Sequence, residues 1–138
     1  MGMEKSMLPR EALYNILPLN KKILIVEDDD ELKDLLTTLL ELEGCKVQCC
    51  VKKCDFYQLV RRFEPDLIVL DYLLPDITGG ELCHQLKLND QYAHIPVILY
   101  TALDPALLSM DHYNCDGFIS KPFNLEALLR LMKRLIVR

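Results

Sequence analysis

The stretch Asp66-Leu67-Ile68-Val69-Leu70-Asp71-Tyr72-Leu73-Leu74-Pro75-Asp76 decides how this chain is read. Leu67 to Leu70 are consecutive branched apolar residues with no polar alternation, which predicts a strand buried on both faces, the habit of parallel sheets. Asp71 follows directly and a proline-containing loop comes next, so this carboxylate is expected at the carboxyl edge of a sheet. Open α/β folds bind their ligands at that edge. A second apolar run, Ile23-Leu24-Ile25-Val26, is followed by Glu27-Asp28-Asp29-Asp30. Two strand ends carrying carboxylates point to one acidic pocket, and such a pocket suits a hard cation such as Mg²⁺.

On either side of these runs, strand and helix patterns alternate. Lys22 to Val26 reads as the first strand, and Leu32, Leu35, Leu36, Leu39 and Leu40 then recur at helical spacing until Gly44. Lys46 to Val51 is a weaker strand, expected nearer an edge. Phe56, Leu59, Val60 and Phe63 mark a second helix, ended before Pro65. Leu67 to Leu70 is the third strand, Gly80 to Leu88 a third helix and Pro96 to Tyr100 the fourth strand. A short helix is expected at Ala106 to Met110, and a brief fifth strand at Phe118 and Ile119. Leu125, Leu128, Leu129, Met132 and Ile136 line a terminal helix, with Asn124 as N-cap. The pattern predicts an α/β fold, a doubly wound parallel sheet with helices on both faces. Residues 1–20 stand outside the alternation. They are expected to be an N-terminal extension, either disordered or a short helix around Leu8, Leu13, Ile16 and Leu17, ahead of one domain over residues 21–138.

The 138 residues suit a single domain with a sizeable core. A net charge of -5 speaks against a broad nucleic-acid footprint. No apolar run approaches the ~20 residues of a membrane span, and the N-terminus has no basic segment leading into an apolar core. The expectation is a cytoplasmic protein with no direct nucleic-acid or membrane contact. Six cysteines include no Cys-x-x-Cys pair and are read as reduced. Cys49 and Cys50 are adjacent, so in a strand they point to opposite faces. His84, His94 and His112 have no matching role.

Taken together, the strand ends deliver Glu27 and Asp28, Asp71, Thr101 with Ala102, and Lys121 with Pro122 and Phe123. Each has an ordinary reading alone: the acids as helix caps, Asp71 as a turn residue, Thr101 as a strand residue, Lys121 as a solvated charge. Jointly they supply a metal site, a carboxylate nucleophile, a hydroxyl and a cation, which is what phosphoryl transfer to an aspartate requires.

This constellation resembles the receiver domain of bacterial two-component response regulators, over Lys21 to Arg138. The resemblance rests on Glu27-Asp28, Asp71 with Pro75 and Gly79 beyond it, Thr101-Ala102 and Lys121-Pro122-Phe123. It implies a five-stranded, flavodoxin-like sheet in the order 2-1-3-4-5 with five helices. It implies that Asp71 is the phosphoacceptor, taking its phosphoryl group from a sensor histidine kinase or a histidine phosphotransfer protein. Mg²⁺ is then held by Asp28, Asp71 and the Leu73 backbone carbonyl, with Glu27 acting through a water. Lys121 and Thr101 contact the phosphoryl oxygens, and Phe118 is the switch aromatic that follows Thr101. A downstream effector protein, or a second copy of the chain in a homodimer, reads the face made by the fourth helix, the fifth strand and the terminal helix. The domain catalyses only its own phosphorylation and dephosphorylation.

The interval from Thr101 to Lys121 is short, so a stunted fourth helix is expected. Tyr72, Leu73 and Leu103 are bulky or apolar neighbours of the pocket, expected to hinder water and lengthen the life of the acyl phosphate. The runner-up is a docking module of the same fold that signals without phosphorylation; the acids, Thr101 and Lys121 argue against it. A phosphate-ester hydrolase built on Asp71 would want a second carboxylate at the position of Leu73. A flavin site would want Gly, Ser or Thr, not acids, after the first strand.

Overall fold

The computed structural model describes residues 18, 20–102, 114–122 and 124–137. Its elements are β1 (Lys22–Val26), α1 (Asp30–Leu42), β2 (Lys46–Cys50), α2 (Lys53–Phe63), β3 (Leu67–Asp71), α3 (Gly79–Lys87), β4 (Val97–Thr101), β5 (Gly117–Ser120) and α4 (Leu125–Ile136). All strand pairs are parallel and the sheet order is β2-β1-β3-β4-β5. This is the expected flavodoxin-like order. From β1 the chain crosses outward to β2, then returns past β1 to β3. The connections leaving the carboxyl ends of β1 and β3 therefore diverge, which opens a crevice between them.

β3 and β4 are buried along their whole length because helices cover both faces. Ile23, Ile25, Leu67, Val69, Ile98 and Tyr100 pack with Leu36 and Leu40 of α1 and with Leu128, Leu129, Met132 and Leu135 of α4. The alternate residues Leu24, Val26, Ile68, Leu70, Val97 and Leu99 pack with Phe56 and Val60 of α2 and with Leu82, Cys83 and Leu86 of α3. The period of two carries Glu27 and Asp71 to the α1–α4 side, in line with Ile25 and Val69. Adjacent Cys49 and Cys50 do face opposite layers. Burial pushes the thiols of Cys45 and Cys115 up to about 11 and that of Cys83 up to about 12, so all three stay protonated and unreactive.

Local signals set the helix ends. Asp29 caps α1 by accepting from the N–H groups of Glu31 at 3.0 Å and Leu32 at 3.2 Å. Thr78 caps α3 and Asn124 caps α4 in the same way. Gly44 follows α1 at φ 93°, a conformation that favours glycine.

Some expected boundaries move. Asp71 is the last residue of β3 and Thr101 the last of β4, instead of Asp71 following its strand and β4 ending at Tyr100. The ladder persists past the apolar run because Tyr72 N–H still donates to Tyr100 O at 3.0 Å and Lys121 N–H to Thr101 O at 2.8 Å. β2 stops at Cys50 and α3 begins at Gly79. The α1 stripe is wider than its partners cover, and Leu35 is 55% exposed. The helix expected at Ala106 to Met110, together with Leu103, His112, Phe123 and residues 1–17, lies outside the described residues.

Candidate functional site

The acids after β1 divide between two tasks. Asp29 is the cap of α1, and Asp30 pairs with Lys33 at 3.0 Å on the exposed first turn. Glu27 and Asp28 are left facing the crevice with Asp71, and one carboxylate oxygen from each of the three lies within 4.8 Å of the others. Glu27 is 1% exposed, Asp71 is 4% exposed and Asp28 is open to solvent.

Lys121 reaches this cluster from the residue after β5. Its Nζ lies 3.2 Å from Glu27 Oε1 and 3.4 Å from Asp71 Oδ2. It also sits 4.6 Å from the centroid of the Tyr100 ring, a cation–π arrangement. The Tyr100 hydroxyl donates to Glu27 Oε1 at 2.6 Å, and Asp29 N–H donates to Glu27 Oε2 at 3.0 Å. Both oxygens of Glu27 are therefore held.

The two buried acids respond in opposite directions. Burial, and then the neighbouring Glu27 charge, push Asp71 from 3.8 up to about 6, although Lys121 and the Leu73 N–H favour its ionised form. Burial alone would raise Glu27 too, but the donors from Tyr100, Asp29 and Lys121 outweigh it and bring Glu27 below its ordinary value. Among the described residues Lys121 pairs with two of the three carboxylates, Glu27 and Asp71, so the ionised cluster keeps an excess of negative charge. Three clustered carboxylates offer oxygen donors only, the ligand type that a hard cation such as Mg²⁺ takes.

The loop after β3 is pinned beneath the acid. Leu73 N–H donates to Asp71 Oδ1 at 3.2 Å, and Leu73 forms an isolated antiparallel bridge with Thr78. Gly79 N–H donates to Tyr72 O at 2.7 Å. A Cβ on Gly79 would lie 2.1 Å from the Asp71 carbonyl oxygen, so only glycine permits this approach. The Leu73 side chain is 53% exposed at the rim.

Thr101 is wholly buried at the same sheet edge and pairs with Ser120. Phe118 pairs with Leu99, two residues earlier, and is partly buried against the α2–α3 layer. The structure thus brings Glu27, Asp28, Asp71 and Lys121 into one cluster and sets Thr101 and Phe118 on the strands beside it. Reading the sequence missed Tyr100, because a tyrosine within an apolar strand looks like core. Its signal was the hydroxyl: a buried phenol needs a partner, and at this edge the partners are the acids.

The family model for the response regulator receiver domain matches residues 23–133. The DNA-binding dual master transcriptional regulator RpaA of Synechocystis is 34% identical over 119 residues, covering 85% of this chain and 49% of the regulator. The chain spans about half the length of the curated relatives it matches. The signal receiver domain of a signal transduction histidine kinase from Syntrophus aciditrophicus is 34% identical with a TM-score of 0.78, covering 84% of this chain and 89% of that one. The receiver domain of sensor histidine kinase PA1611 from Pseudomonas aeruginosa, described with a magnesium ion coordinated in the active site cleft, shares the fold at a TM-score of 0.77 and 22% identity, covering 86% and 99%. Sheet order, acidic crevice and family match agree, and the chain belongs to the response regulator receiver domain family, whose members are signalling domains of two-component systems.

Proposed function

We propose that this chain is a phosphoacceptor switch that takes a phosphoryl group from a phosphohistidine onto Asp71. One observation carries the reading: Asp71 is a buried acid at a crevice, with Glu27 and Asp28 within cation-binding distance and the Lys121 ammonium 3.4 Å from its Oδ2. Asp28 and Asp71, with the Leu73 carbonyl and with Glu27 through a water, are the groups that would hold Mg²⁺. The magnesium described for the PA1611 receiver supports that assignment. When bound, the cation supplies positive charge that offsets the repulsion between an anionic nucleophile and an anionic phosphoryl group.

In the reaction an Asp71 carboxylate oxygen attacks phosphorus. A P–O bond forms, the P–N bond of the phosphohistidine breaks, and its electron pair returns to the imidazole. Lys121 then pairs with a phosphoryl oxygen and the Thr101 hydroxyl donates to another. Thr101 moves toward the new group and Phe118 follows. This favours one of two arrangements of the face that includes β5 and α4. A downstream effector protein, or a second copy of the chain, reads that surface.

The donor is a sensor histidine kinase or a histidine phosphotransfer protein. It docks beside the crevice, where a groove of roughly 470 Å³ runs from Asp29 and Lys121 along Leu32, Leu35 and Leu39 to Leu125. Residues 21–138 form the receiver unit and residues 1–20 an extension to it. Among the described residues no helix is long and apolar enough to cross a membrane, and we assign the domain to the cytoplasm.

The test is intact mass after incubation with a small-molecule phosphodonor and Mg²⁺, beside Asp71→Asn and a chelated control. One added phosphoryl group, absent from both controls, is expected. If neither that donor nor a panel of phosphohistidine proteins modifies the native chain, the docking module that signals without phosphorylation replaces this reading.

A further inference from the structure

We infer that Tyr100 is a positioning residue for this site: its hydroxyl holds Glu27 so that Lys121 can leave Glu27 for a phosphoryl group on Asp71. This rests on the phosphoacceptor reading above. Glu27 Oε1 has two side-chain donors, the Tyr100 hydroxyl at 2.6 Å and Lys121 Nζ at 3.2 Å. The residue is 1% exposed, so bulk solvent, as distinct from a water held on a cation, is poorly placed to replace a lost donor. A buried carboxylate that loses its partner is strongly disfavoured.

Lys121 is shared, with Asp71 Oδ2 at 3.4 Å as its other acceptor. A phosphoryl group on Asp71 adds stronger acceptors and draws Nζ toward them. Without the phenol, that movement would strip Oε1 of its last side-chain donor. With it, Oε1 keeps the shorter of its two bonds.

The phenol is fixed well enough for the task. Tyr100 is wholly buried in β4 and is the ladder partner of Asp71. Its ring face lies 4.6 Å from Nζ and stays attractive to the ammonium as it moves. Packing alone asks for no hydroxyl here, since Ile98 fills the same layer with an aliphatic side chain.

Tyr100→Phe keeps the ring, its packing and its face toward Lys121, and removes one hydroxyl. Calorimetry on the full chain measures two affinities: Mg²⁺ alone, and beryllofluoride in saturating Mg²⁺ as the phosphoryl stand-in on Asp71. Mg²⁺ binding is expected to stay within about threefold while beryllofluoride binding weakens by about tenfold, the effect of one hydrogen bond to a charged group. In a Glu27→Gln background the same substitution is expected to cost less than about threefold, because no buried charge is left stranded.

Unchanged beryllofluoride affinity in Tyr100→Phe overturns the inference and makes Tyr100 a core residue. Equal loss of both ligands also overturns it, placing the hydroxyl's effect on the metal cluster instead of on Lys121. So does a full penalty in the Glu27→Gln background. If the unsubstituted protein binds neither ligand, the phosphoacceptor reading fails and this inference with it.

Discussion

Replacing Asp71 by asparagine is expected to make the metal-free protein more stable, by an amount that depends on pH in a defined way. Folding lifts the Asp71 carboxyl from 3.8 to about 6, so between those values the native state binds more protons than the unfolded chain. Stability therefore falls as pH rises through that window and is lowest above it. The full displacement corresponds to about 3 kcal/mol at pH 7.5. The side chain is 6% exposed, so solvent screening removes little of this. At about pH 4.5, where the native carboxyl is mostly protonated, only about 1 kcal/mol remains. The amide substitution removes the charge and recovers these amounts, since the attraction of Lys121 is already included in the raised value.

Urea unfolding in EDTA at the two pH values measures the difference. The Asp71→Asn midpoint is expected to lie above that of the native protein by about 1 to 2 M at pH 7.5, and by about a third of that at pH 4.5. Mg²⁺ at pH 7.5 should narrow the gap by stabilising the native chain. A variant less stable than the parent, or a gap equal at both pH values, refutes the account of an acid whose ionised form folding disfavours.

Gly79→Ala places a Cβ 2.1 Å from the Asp71 carbonyl oxygen and 2.9 Å from Tyr72 Cα, both backbone atoms; a loss of at least about 2 kcal/mol in urea unfolding is expected, and a change under about 0.5 kcal/mol would show that the loop yields. Asp29→Ala removes the α1 cap and should cost about 1 kcal/mol, with Mg²⁺ affinity by calorimetry nearly unchanged because the Asp29 N–H still donates to Glu27. Leu73→Asn puts a polar group at the rim of the crevice and is expected to speed acyl-phosphate hydrolysis severalfold; an unchanged decay rate rules out shielding by Leu73. Lys87→Met leaves the Asp116 carboxylate without its ammonium and should cost about 3 kcal/mol, measured the same way, whereas phosphorylation of the folded fraction should be unaffected.

Lys87 and Lys121 show why part of this molecule was legible in its sequence and part was not. Both are half-buried lysines paired with an aspartate. Lys87 Nζ donates to Ala93 O at 3.1 Å, Ile95 O at 2.6 Å and Asp116 Oδ2 at 2.7 Å, which uses all three of its protons. Asp116 also accepts Val97 N–H at 2.8 Å, so the pair ties α3 and the β5 approach to the start of β4. Lys121 instead spans two carboxylates at 3.2 and 3.4 Å over an aromatic face, an arrangement with room to change. Residue type does not separate the two cases, but placement does. Lys121 directly follows an apolar strand, as Glu27 does, and Asp71 closes another; apolar runs that end in polar residues can be read from a linear sequence. The Lys87–Asp116 pair joins a helix to a loop 29 residues away, and no local pattern announces it. Tyr100 was hidden for a related reason, because its apolar ring satisfies the strand pattern and its hydroxyl acts 73 residues away on Glu27. Strand ends moved by a residue because backbone hydrogen bonds, not side-chain polarity, decide where a ladder stops. What the sequence leaves open is thus the set of long-range hydrogen bonds, and in this crevice those bonds lower the Glu27 carboxyl while its neighbour Asp71 is raised.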